Sequence, residues 1–159
     1  MNVSDGFKTL ILGNYSFVDI FTGGTIVIYA NNQPASPELS DASATEIGRI
    51  TAFGLPWNFG ASTNGLQFYQ DGPYILNFSL PPWVCIPTNS QTASWFRLYS
   101  ADPTESRGNS SVLARIDGTI GLPGTPTAYD MYMDDPVFIA GTSKDFTYFL
   151  YTILPIIGS

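Results

Sequence analysis

The pattern of apolar and polar positions divides the chain near residue 24. Before that point Phe7, Leu10 and Ile11 recur at i, i+3 and i+4, and Phe17, Ile20 and Phe21 repeat the spacing after Gly13-Asn14. That is the period of short amphipathic helices. From Thr25 onward, runs rich in β-branched and aromatic residues are cut by Gly, Pro, Asn and Asp clusters at intervals of about ten residues, the rhythm of a β-sandwich or barrel. The pattern predicts strands near Thr25–Ala30, Glu46–Phe53, Leu66–Gln70, Tyr74–Leu80, Trp83–Ile86, Ala93–Ser100, Val112–Thr119, Tyr129–Met133, Val137–Ala140 and Phe146–Ile153.

Alternation along 112–117 sends Val112, Ala114 and Ile116 one way and Leu113, Arg115 and Asp117 the other, which predicts one face wetter than its opposite. Asp71-Gly72 is a tight-turn dipeptide joining the Leu66–Gln70 and Tyr74–Leu80 runs into a hairpin, and Asn64-Gly65 is another turn. Pro81-Pro82 and Pro87 flank the Trp83–Ile86 run, which suits an edge strand or a crossing between sheets. Residues 31–45, 101–110 and 120–128 are polar loops. The expected organisation is a partly helical N-terminal arm, 1–24, and a single β-sandwich domain, 25–159.

Composition adds a surface argument. Only 12% of the 159 residues are charged, against about 25% in an ordinary globular domain. So little charge solvates a lone monomer poorly, and part of the apolar surface is expected to be covered by a partner. The net charge is −7, and the basic residues Lys8, Arg49, Arg97, Arg107, Arg115 and Lys144 are scattered along the sequence with no visible basic stripe. Nucleic-acid binding by phosphate neutralisation is therefore not expected. No stretch approaches the ~20 apolar residues of a membrane helix. The N-terminus lacks a positive region followed by an apolar run, so no signal peptide is expected.

Candidate chemistry is sparse. The chain has no histidine, which removes Ser-His-Asp and Cys-His catalysis and imidazole-ligated zinc. Cys85 is the single cysteine and lies in the apolar run Trp83-Val84-Cys85-Ile86, the setting of a core thiol. Gly121-Leu122-Pro123-Gly124 is a proline-bearing turn and no phosphate cradle. Asp117, Asp130, Asp134 and Asp135 could supply a carboxylate pair or oxygen ligands for a cation, but their spacing matches no calcium loop, and Asp134-Asp135-Pro136 reads as a hairpin turn. Trp57, Trp83 and Trp95 could stack against sugars or fill a core. Trp95 and Arg97 are expected on one face of a strand, with Phe96 and Leu98 on the other.

The segments Ile11-Leu12-Gly13-Asn14, Gly23-Gly24-Thr25-Ile26-Val27-Ile28-Tyr29, Gln33-Pro34-Ala35-Ser36 and Glu46-Ile47-Gly48-Arg49-Ile50-Thr51 together resemble small virion structural proteins of tailed bacteriophages. The later runs Thr92-Ala93-Ser94-Trp95-Phe96-Arg97-Leu98-Tyr99 and Ala114-Arg115-Ile116-Asp117-Gly118-Thr119-Ile120-Gly121 are similar to that group too. The resemblance implies a β-rich oligomer built into a particle, as capsid decoration (cement) or as a tail or neck component. The absence of a long glycine-rich or coiled region argues against a fibre shaft.

The sequence thus leads to an all-β protein, an antiparallel, jelly-roll-like β-sandwich with a short helical arm. It is expected to be a non-enzymatic virion protein assembled in the host cytoplasm, with no cofactor or metal. Its expected partners are itself, as a dimer or trimer, and the major capsid protein, with neither nucleic acid nor membrane. The alternatives are a tail, neck or spike-associated component and a carbohydrate-binding sandwich. The 1–24 segment is too short for a core of its own and is expected to pack either on its own sandwich or on a neighbouring chain. For the second case Phe7, Leu10, Ile11, Phe17, Ile20 and Phe21 are the expected contact residues, with the sandwich folding without Phe7 and Ile11.

Overall fold

In the computed structural model, which describes residues 1–60, 63–78, 80–102, 104, 107–125, 127–147 and 150–152, a short strand β1 (Asn2–Val3) precedes two helices, α1 (Asp5–Leu12) and α2 (Phe17–Phe21). Their starts are written locally. Ser4 Oγ accepts from the Phe7 amide, and Ser16 and Asp19 form a reciprocal capping box. Gly13 and Asn14, the latter at φ +72°, end α1 where the hydrophobic period breaks.

The remaining strands are β2 (Thr25–Ala30), β3 (Thr45–Ala52), β4 (Phe68–Asp71), β5 (Tyr74–Asn77), β6 (Trp83–Cys85), β7 (Gln91–Thr92), β8 (Trp95–Tyr99), β9 (Arg115–Gly121), β10 (Met131–Tyr132), β11 (Val137–Phe138), β12 (Lys144–Phe146) and β13 (Leu150–Thr152). An eight-stranded sheet runs β1-β9-β8-β2-β3-β6-β12, with β10 added in parallel along the outer edge of β9 beyond β1. A three-stranded sheet, β13-β5-β4, and a two-stranded one, β11-β7, complete the fold. Every other strand pair is antiparallel. The protein is all-β and sandwich-like with open sheets and a short helical N-terminus. Its layers are unequal, the large sheet facing the helices and the small β4–β5 hairpin, where Phe17 meets Phe68 and Phe68 meets Trp83 edge to face.

Several boundaries differ from the sequence reading. The Asp71-Gly72 hairpin forms as expected. The Trp83–Ile86 run is not an edge, however: β6 lies between β3 and β12. Its flanking prolines lie outside the paired residues 83–85, so no ladder donor is lost. The Phe146–Ile153 run divides into β12 and β13, which join different sheets, and Ile153 lies outside the described residues. Asp134-Asp135-Pro136 does turn, with the Asp135 carboxylate accepting from the Val137 amide, but it connects two sheets and makes no hairpin.

The helical segment takes the first of its two expected dockings and packs on its own chain. Phe7, Phe17, Ile20 and Phe21 are buried in the chain's own main core with Ile26, Ile28, Phe96 and Ile116, and Leu10 and Ile11 pack against it half-buried. Gly6 makes this docking possible, because a Cβ there would fall 2.3 Å from the Val112 carbonyl oxygen. Phe7, Phe17, Ile20 and Phe21 are therefore core and cannot serve as contacts to a neighbour in this fold. Deleting the Phe7 ring should leave a cavity, so Phe7→Ser is expected to destabilise the fold by about 3–5 kcal/mol, read as a lowered urea midpoint. An unchanged midpoint would return the segment to docking on a neighbouring chain.

Candidate functional site

The central strands β2, β8 and β9 are buried on both faces. One face carries Ile26, Ile28, Phe96, Leu98, Ile116 and Ile120, as alternation predicts. The other carries Val27, Tyr29, Trp95, Arg97, Tyr99, Arg115 and Asp117, all shielded from solvent. The wetter face expected from the 112–117 alternation is therefore a second interior. Trp95 and Arg97 do share it, with Phe96 and Leu98 opposite.

What makes that face buriable is a network of charges. Arg97 grips Asp117 with two parallel bonds of 2.6 and 2.7 Å, and neither side chain is exposed. The same guanidinium donates to the Leu39 carbonyl at 2.8 Å and stacks over the Trp95 and Tyr99 rings. Arg115 donates to the carbonyls of Pro37 and Gly108. Asp41, wholly buried, accepts from the Tyr29 and Tyr99 hydroxyls and from Arg107 Nε. Arg107 reaches on to Glu46, which also accepts from Arg49 at 2.8 Å.

All four arginines of the chain thus meet on one face, although they are scattered in sequence. They make no basic surface, because Asp41, Glu46 and Asp117 lie among them. Burial works to raise the Asp41 carboxyl, but the hydrogen bonds from Arg107, Tyr29 and Tyr99 outweigh it and hold it below the usual carboxylate range. Burial together with the Asp41 carboxylate pushes the Tyr99 hydroxyl up to about 12. The network fastens the 31–45 loop and residues 107–108 onto the sheet, and both Asp41 oxygens are occupied by protein donors. Its chemistry is that of a clamp.

The other candidate groups do not converge. Asp117 is spent on Arg97, and Asp130 accepts from the Met1 ammonium and from Thr119. Asp135 meets Lys144. Among the described residues no three His, Cys, Asp or Glu side chains gather to hold a metal ion. Trp57, Trp83 and Trp95 are all buried, which leaves none of them as a sugar-stacking platform. Cys85 is buried, and its thiol is pushed up to about 12 by that burial.

On the apolar face lies a cavity of about 350 Å³, floored by Ile26, Ile50, Leu98 and Ile116 and walled by Met131 and Met133. The space opens to solvent beside Met1 and Tyr132, so it is a pocket and not a sealed void.

Removing one partner of the buried pair strands a charge, so Asp117→Asn or Arg97→Met should each cost about 3–5 kcal/mol, measured by urea unfolding. The Asp41 carboxyl is held below its unfolded value of about 3.9. Its contribution is therefore complete above about pH 4 and lost as pH falls through the lowered folded value. Asp41→Asn should be less stable at pH 6 and show a smaller further loss between pH 5 and 2; parallel curves for variant and wild type would refute this. Native Cys85 should resist iodoacetamide and react once urea unfolds the chain.

Comparison with protein families, curated proteins and solved structures finds no match for the chain, and the geometry above carries the functional reading.

Proposed function

We propose that this chain is a structural protein of a phage particle, a capsid decoration protein that works as a homo-oligomer bridging capsid subunits. The observation that carries the proposal is the exposed apolar surface. Leu12 is 80% exposed, Leu80 and Val112 76%, Ile139 61% and Phe53 57%. On a chain with so few charges, such side chains are costly in water and become useful when a neighbouring subunit covers them. Phe53 adds a second mark: it holds a left-handed backbone, φ +59°, while presenting its ring to solvent. Strain of that kind, retained at an exposed aromatic, suits a contact residue.

The proposal moves the contact set from the buried helix residues to these exposed ones. The clamp supports it by holding the long loops rigid, which lowers the ordering entropy lost on docking. The dense satisfaction of polar groups in the clamp also suits a mechanical role better than a catalytic one.

Light scattering over a tenfold dilution should show a dimer or trimer, and gels of purified particles should show the chain at a copy number comparable with the major capsid protein. A low copy number would instead assign it to the tail or neck. Leu12→Ser and Val112→Ser should each fold normally and reduce incorporation into particles at least tenfold; full incorporation of both, with a monomer at every dilution, would overturn the proposal.

A further inference from the structure

We infer that the cavity on the apolar face of the large sheet is a binding site for a small aliphatic amphiphile, with a hydroxyl or amine head held at the rim by Asp130. The inference is independent of the assembly proposal, since it concerns the interior of one chain.

Size and shape come first. The floor residues Ile26, Ile50, Leu98 and Ile116 are each at most 2% exposed, and the space of about 350 Å³ that they border opens toward the exposed Met1 and Tyr132. Cores of folded domains are packed like organic crystals and keep few voids larger than a water molecule. An apolar floor offers water no partners, whereas an aliphatic chain restores the missing dispersion contacts. At ~30 Å³ per non-hydrogen atom, the space takes about a dozen such atoms, which is the size of a ten-carbon chain with a head group.

The lining is suited to such a guest. All three methionines of the chain, Met1, Met131 and Met133, border the cavity. Their unbranched, polarisable side chains adapt to a flexible tail better than branched residues do. Among the described residues the remaining wall is aromatic or branched aliphatic, so most of the tail's length meets apolar surface.

The head-group chemistry follows from the rim. Tyr132 is half exposed there, and among the described residues Asp130 is the one acidic side chain bordering the space. The Met1 ammonium donates to Asp130 Oδ1 at 2.6 Å, and the Thr119 amide donates to Oδ2 at 2.9 Å, so the carboxylate is fixed in position. Because the ammonium is already paired, an incoming carboxylate would meet Asp130 in the field of a chain with a net charge of −7. A hydroxyl or ammonium head can instead donate to it.

Decan-1-ol, decylamine and decanoate, matched in tail and used below their micelle concentrations, separate the terms by titration calorimetry on the full chain. One molecule of decan-1-ol or decylamine should bind per chain, at least tenfold tighter than decanoate. Ile116→Phe and Met133→Phe, which fill the space, should each weaken decan-1-ol at least tenfold while circular dichroism stays native. At the rim, away from the floor, Asp130→Asn should cut the preference for decylamine over decanoate at least fivefold. Absence of saturable binding, or binding unchanged in a folded filled variant, overturns the site. Decanoate binding as tightly as decan-1-ol overturns the head-group assignment. Binding lost when the chain is concentrated into an oligomer gives the cavity to a second copy and overturns the small-molecule assignment.

Discussion

The bidentate pair of Arg97 and Asp117 is the constraint on which the rest of the structure turns. Two fully buried charges are tolerable only when each satisfies the other, and here the pair sits at the middle of a sheet whose central strands β2, β8 and β9 have no wet face. Around it Arg115, Arg107, Tyr29, Tyr99 and Asp41 extend the same logic outward. Each donor that reaches a loop carbonyl draws that loop down, until the 31–45 segment covers strands that would otherwise face water. The loops are ordered because the sheet's buried cations need their carbonyls and carboxylates.

On the opposite face the physics is ordinary hydrophobic burial with an unusual distribution. The large sheet has more apolar area than two short helices and a small hairpin can cover. Part of the deficit is met by Phe7, Phe17, Ile20 and Phe21, which turn a segment resembling an arm into a second layer. The remainder is the pocket on the sheet's apolar face beside β10, and the large apolar side chains left at the surface.

These features separate stability from function. The polar face ties the 31–45 segment and residues 107–108 onto the large sheet, and both Asp41 oxygens are taken up there by protein donors. The proposed role in contact rests instead on the surface, poor in charge and bearing exposed Leu, Val, Ile and Phe side chains.

The sequence by itself determined the class of fold and much of its punctuation. Period-two runs of β-branched and aromatic residues can bury both faces only as strands, Gly13-Asn14 breaks the helical period and Asp71-Gly72 turns a hairpin, because each signal acts within a few residues. The missing histidine likewise excluded whole mechanisms from composition alone. Only the tertiary structure decided what touches what. Arg97 and Asp117 are 20 residues apart, and Arg107 and Asp41 are 66; no local rule pairs them. The alternation of Arg115 and Asp117 read as a wet face because a charged residue ordinarily seeks water, and only long-range partners make its burial possible. For the same reason Phe7 and Phe17 carried the right period for a helix but no label for which surface would receive them: periodicity defines a face, and the chain's own sheet supplied the partner.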